Sequence, residues 1–179
     1  MFEPARSNDF RFYVSGLDNL LRAGYAGTED NARLPESMVG ETLEFSVISM
    51  SVPTFSQETI TIRRGNSVMK AAGLPNFDTG NLVIDDFIGA DGKSVLMAWY
   101  NLSYNVRTQT IGYMADYKKD CWLIEYDPNF KMVRQWLLYG CWISKIQQDE
   151  FSQDSGDKRK ITATIEYDWA EMRMPDEVV

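Results

Sequence analysis

The chain contains no histidine in 179 residues. That absence removes the usual general base at neutral pH, the imidazole metal ligand and the Ser-His-Asp arrangement together. No catalytic, cofactor-binding or metal-binding residue is therefore expected, and an enzyme is the weakest reading. Long apolar runs are missing too. The longest, WLLYGCWI at Trp136–Ile143, falls far short of the ~20 residues that cross a bilayer as a helix. The N-terminal MFEPARSNDF has no apolar h-region. Neither a signal peptide nor membrane insertion is expected, and synthesis in the cytoplasm follows.

Cysteine is scarce, with Cys121 and Cys141 alone. If the strands around them form a hairpin about the turn DPNFK, Cys121 faces roughly residue 137 and Cys141 lies ~13 Å further along at strand rise. A disulfide needs Cα atoms within ~7 Å, so two separate, buried, reduced thiols are expected. Positive charge is also in short supply. Against 26 acidic residues stand 18 basic ones, a net charge of −8 whose mean field repels phosphate. The basic clusters Arg63–Arg64 and Lys158–Lys160 read as solvated surface or as ion-pair partners rather than as a nucleic-acid patch. GADGKS resembles a phosphate loop only superficially, because Phe87 stands where the first glycine of G-x-x-x-x-G-K-[ST] is required. It reads as a turn with Asp91 capping a helix. Asp85 and Asp86 are strand neighbours that point to opposite faces, so they do not converge on one ion.

What the chain does have is alternation, with aromatics at 13%. DFRFYVS (Asp9–Ser15) sets Phe10, Phe12 and Val14 against Arg11 and Tyr13, a first strand. ETLEFSVISMSVP (Glu41–Pro53) alternates and then shifts phase at Val47–Ile48, predicting a bulged second strand. QETITIRRGN (Gln57–Asn66) reads as its hairpin partner and GNLVIDDF (Gly80–Phe87) as a fourth strand. VLMAWYNLSY (Val95–Tyr104) changes to helical period, with Val95, Leu96, Trp99 and Leu102 on one face. Strands follow at Asp120–Asp127 and Met132–Ile146, with Gly140 marking a bend, and a final strand at Ile161–Trp169. There Thr162, Thr164, Glu166 and Asp168 oppose Ile161, Ala163, Ile165, Tyr167 and Trp169. The five tryptophans read as core or as interface anchors. The pattern predicts a mainly β single domain over 1–179, with its core at about 9–169 and a short tail at 170–179. The fold expected is a β-sandwich or partial barrel with one packed helix.

In that order the elements resemble the tail tube proteins of contractile-tailed phages and the inner-tube proteins of contractile injection systems. The resemblance is carried by DFRFYVS, SVISMSVP, QETITIRRGN, MAWYNLSY, GCWISKI and ITATIEYDWA, and spans about Asp9 to Trp169. Ile143 stands where such proteins often carry a proline after the tryptophan of the long strand.

The resemblance implies a structural subunit of the virion tail whose homo-hexameric rings stack into a hollow tube inside a contractile sheath. Strands of each copy join a continuous β-barrel around a channel through which DNA passes without sticking. Implied partners are the tail sheath protein, the tape measure protein and the baseplate hub or tube initiator. On that basis Glu44, Ser46, Thr59, Thr61, Thr162, Thr164, Glu166 and Asp168 are expected to face the lumen, giving an acidic, hydroxyl-rich bore. The stretches Leu21–Ser37, Arg64–Asn76 and Gln147–Lys158 are expected to be loops that stack rings or meet the sheath. Alternatives are the tube of a toxin-delivering particle, a tube initiator, or a monomeric β-barrel that binds a small ligand.

Overall fold

The computed structural model describes residues 9–17, 39–87, 92–149 and 158–175. They form eleven strands and three helices. These are β1 (Phe10–Val14), α1 (Val39–Ser46), β2 (Val47–Met50), β3 (Phe55–Arg64), β4 (Ser67–Phe77), β5 (Gly80–Asp85) and α2 (Gly92–Ser103). The short pair β6 (Tyr104–Asn105) and β7 (Thr110–Ile111), α3 (Met114–Tyr117), β8 (Lys119–Tyr126), β9 (Met132–Gln148), β10 (Lys160–Glu166) and β11 (Trp169–Arg173) complete the set. Asp91 lies outside the described residues, as do 21–37 and 150–157 of the expected loops.

The main sheet runs β1-β8-β9-β10-β5-β2, with β11 also on β9. β9 is long enough to serve two sheets. Its first part pairs with β8 and β11, and its second part with β10. The strand turns from one to the other around Gly140, which has a φ of +66°, a left-handed conformation that favours glycine. Between the sheets lies one core in which Phe12, Val14, Leu82, Ile84, Leu123, Leu138, Ile143, Ile161 and Ile165 are closed off from water. The helix α2 seats Val95, Leu96, Ala98 and Trp99 on it, as the helical spacing predicts. Trp99 donates its indole N–H to the Tyr117 carbonyl at 2.9 Å, which fastens α2 to α3.

Four expectations are corrected. The strand expected over Glu41–Pro53 is helix α1 up to Ser46, and only Val47–Met50 is strand. Leu43 and Val47 are four residues apart, so a helical period fits them as well as a strand period does, and a short run does not decide between the two. Phe45, which the alternation placed with Leu43, is 83% exposed. Next, β2 pairs with β5 and not with β3. The partner of β3 is β4, which lies in the stretch read as a loop at Arg64–Asn76. Gly73 and Pro75 lower its strand signal, and a bulge opposite Gln57–Thr59 absorbs the extra residue. The final strand is broken: β10 ends at Glu166 and β11 runs Trp169–Arg173, so part of the expected tail belongs to the sheet.

The fourth correction concerns the thiols. Cys121 pairs with Leu138, but one extra residue in β9 sets Lys119 opposite Cys141. The shift brings Cys141 round to the face of Cys121; both thiols are free and fully buried, and the Cys141 thiol donates to the Leu138 carbonyl at 3.6 Å. They are not the distant pair that a regular hairpin would give.

Candidate functional site

The polar side of β10 is one part of a larger surface. Directly paired residues share a sheet face. The partners of Thr162 are Val83 and Gln147, and those of Thr164 are Asn81 and Lys145. Glu166 faces Trp142, and Ser49 on β2 faces Val83. The opposite face, formed by Ile161, Ala163, Ile165, Leu82, Ile84 and Ile143, is buried. The four-strand surface β2-β5-β10-β9 is therefore greasy inside and covered outside with hydroxyls and amides.

A bulge holds this surface in register. Two steps along β9, from Ile143 to Lys145, oppose one step of β10 between Thr164 and Ile165. The extra residue, Ser144, donates its hydroxyl to the Thr164 carbonyl at 3.3 Å and to Glu166 Oε1 at 3.2 Å. Thr164 Oγ1 lies 3.5 Å from Asn81 Oδ1. By the same register the paired Lys160 and Asp85 stand on this face, so with Lys145 and Glu166 it carries two cations and two carboxylates.

The four strands also leave two edges without a partner among the described residues: the outer side of β2 and the outer side of the second part of β9. Each pairing from β2 to β9 is antiparallel. The two outer strands therefore run in opposite directions.

The expected lumenal residues separate into three groups. Thr162, Thr164 and Glu166 lie together on the polar face. Thr59 and Thr61 lie on β3, in the separate β3–β4 hairpin. Glu44, Ser46 and Asp168 lie elsewhere. Ser46 is buried, and its hydroxyl bonds the Thr42 carbonyl one helical turn back at 2.7 Å. Glu44 is on α1, 3.3 Å from the Arg11 guanidinium. Asp168 sits in the turn between β10 and β11 and holds the Lys118 ammonium with both carboxylate oxygens. Missed from sequence were Asn81, Lys145 and Gln147. Asn81 was legible as a polar position of the fourth strand, but the other two depend on the Ser144 bulge, which leaves no composition signal.

Lys158 and Arg159 are ion-paired within the chain, to Asp85 at 3.8 Å and Asp86 at 3.3 Å. They tie the end of β5 to the start of β10. No group of side chains suited to hold a metal ion occurs among the described residues, and no described helix is long and apolar enough to cross a membrane.

Comparison with known proteins agrees with this architecture. An extracellular contractile injection system, solved as a sheath–tube complex in the extended state, contains a chain of similar fold. It has 17% identity and a TM-score of 0.65, over 96% of this chain and 92% of that one. The tube-terminating cap of the anti-feeding prophage matches at 14% identity and a TM-score of 0.66, over 97% and 93%. The SPP1 tail tube matches at 10% identity and a TM-score of 0.54, over 97% and 84%. Among curated proteins, none matches this sequence. The family described as T4-like virus tail tube protein gp19 matches residues 8–171, nearly the whole chain. The chain belongs to that family of tail tube proteins.

Proposed function

We propose that copies of this tail tube protein close into hexameric rings by joining the open edge of β2 to the open β9 edge of the next copy. The antiparallel order of the four strands supports this. A rotation that brings one outer edge to the other makes an antiparallel junction and leaves no edge exposed. On this reading the polar face turns inward, and Thr162, Thr164, Glu166, Asn81, Lys145 and Gln147 line a hydrated bore. The observation that carries it is the pairing of one polar face with two complementary open edges. Among the described residues a lone copy is an open sheet with no closed barrel, which favours the tube over the small-ligand binder.

Rings stack into a conduit for DNA within a contractile sheath. The sheath, baseplate and cap named for structures of similar fold support the corresponding partners here, and a tape measure protein fills the bore before ejection. The chain acts as a structural component and not as an enzyme, made in the host cytoplasm and built into the virion tail. The bore is rich in hydroxyls and amides and close to neutral, rather than strongly acidic. Low friction comes from hydrated groups that give phosphate no run of cations. Of the eight residues expected there, Ser46 is not included because it is buried and bonded to the Thr42 carbonyl, nor are Glu44 and Asp168, whose carboxylates hold Arg11 and Lys118 away from this face.

The test is a Thr164→Cys variant labelled with a maleimide heavy-metal cluster and assembled into tubes. The native thiols are buried and do not compete for the label. Label density on the tube axis supports the reading; density on the outer wall overturns it.

A further inference from the structure

Helix α1 leads directly into β2, the strand whose outer edge is open among the described residues. Three of its side chains have neighbours in the same copy. Leu43 is buried in the core, Ser46 lies against Gly92 at the start of α2, and Glu44 pairs with Arg11 of β1. Phe45 points elsewhere and is 83% exposed, just before β2 begins. A single exposed phenylalanine is ordinary. What sets this one apart lies at the other open edge. There α2 and β9 leave a groove of about 250 Å³, lined by Met97 and Tyr100 of α2 and by Ser144, Lys145, Ile146 and Gln148 of β9. Met97 and Tyr100 are three residues apart and share a helix face, and Tyr100 and Ile146 pack at the margin of the core. A cavity of roughly 150 Å³ holds benzene, so the groove has room for a phenyl ring against an apolar wall.

Knob and groove stand on the same side of the sheet. α1 seats Leu43 in the core, and Ile146 pairs with the buried Ala163, whose face it shares. Both features therefore lie on the side away from the polar face. Joining the β2 edge of one copy to the β9 edge of the next, with polar faces in line, carries the α1 of one copy to the α2 and β9 of the other. We infer that Phe45 of each copy seats in the Met97–Tyr100–Ile146 groove of a second copy, as a side-chain latch behind the joined strands. A ring closes through a heterologous contact, in which one patch meets a different patch, and each copy carries one knob and one groove. The latch also has a task that backbone pairing cannot perform. A backbone ladder repeats every two residues and does not itself fix where one edge meets the other; a ring held in one socket does. The inference rests on the edge-joining reading of the ring and adds to it which side chains hold the junction and set its register.

The test compares full-length wild type with Phe45→Asp, Phe45→Leu and a chain carrying the photo-cross-linker p-benzoylphenylalanine at position 45, which keeps an aromatic knob. Because Phe45 is exposed, circular dichroism and the urea midpoint of each variant are expected to match wild type. Sedimentation and negative-stain microscopy then follow assembly. Phe45→Asp is expected to lose at least about ten-fold in pelletable tube, whereas Phe45→Leu, with an apolar knob retained, continues to assemble. Irradiated tubes of the cross-linker chain are expected to give covalent dimers, joined at Met97, Tyr100 or Ile146 when mapped by mass spectrometry. Assembly of Phe45→Asp at the wild-type level, or cross-links that fall within one copy or elsewhere on the second, overturns the inference and leaves the ring reading standing, which the label at position 164 tests separately. A wild type that stays monomeric at every concentration overturns both.

Discussion

The Asp168 carboxylate grips the Lys118 ammonium at 2.7 and 2.8 Å directly over Gly140, where an added Cβ would collide with that same carboxylate. Three segments, the β10–β11 turn, the lead-in to β8 and the bend of β9, meet at this point. The bend is held from the other side as well, because the Gly140 N–H donates to Asp120 Oδ1 at 3.2 Å.

Gly140→Ala combines a left-handed backbone with that collision. We expect a loss of about 2–3 kcal/mol in urea unfolding. Asp168→Asn removes a charge from a pair whose carboxylate side chain is 55% exposed, and should cost no more than about 1 kcal/mol. Combining Gly140→Ala with Asp168→Ser should cost less than the sum of the two single changes, because the shorter side chain makes room. Strict additivity would show that the glycine is required for its backbone alone.

The thiol pair predicts an alkaline weakness. Burial raises the Cys121 thiol well above its ordinary value, and the hydrogen bond and charge of Cys141 and the charge of Asp120 push the same way. Unfolded, the thiol ionises near its ordinary value, so between the two values unfolding releases a proton. Its stabilising effect is complete below the unfolded value and is lost as pH rises towards the folded one, at up to about 1.4 kcal/mol per pH unit. Burial raises the Tyr167 hydroxyl as well, against a lowering hydrogen bond from Thr54, and adds a loss of the same sign at higher pH. Cys121→Val should flatten the fall in chemical stability between about pH 9 and 10. An unchanged slope would assign the loss elsewhere.

Trp99 and Trp169 should differ sharply. Trp99 is 1% exposed and hydrogen-bonded to Tyr117, whereas Trp169 stacks on Tyr139 at 3.9 Å with nearly half its surface in water. Trp99→Phe removes buried volume and leaves the Tyr117 carbonyl without this donor, at a cost of about 2–3 kcal/mol. Trp169→Phe keeps an aromatic stack and should cost under about 1 kcal/mol. Equal shifts in the urea midpoint would contradict the division.

Cations added to the polar face should make DNA stick. Glu166→Lys replaces a carboxylate of that face with an ammonium, and Thr164→Lys places another ammonium beside Lys145. Both should increase DNA retention by assembled tubes at low salt, with the effect fading as salt rises, since each phosphate contact releases counterions. Retention equal to wild type would argue that the face does not meet the cargo.

Local pattern in the chain was enough for β1, β8, β10 and the α2 stripe. Phe12 and Val14, Ile161, Ala163 and Ile165, and Val95 and Trp99 alternate or recur at the period of their element, and each is buried as its spacing requires. That information is local, because one buried face imposes its own period. What tertiary structure alone decided lies where a period is interrupted or shared. Residues 42–46 satisfy both periods, and burial of Leu43 and Ser46 against the start of α2, where an added Gly92 Cβ would lie 2.9 Å from Ser46 Oγ, settles them as helix. The bulges at Ser144 and near Gly140 shift phase by one residue, and that shift brought Lys145 onto the polar face and Cys141 against Cys121. An extra residue in one strand is defined only relative to its partner, so no reading of a single strand contains it.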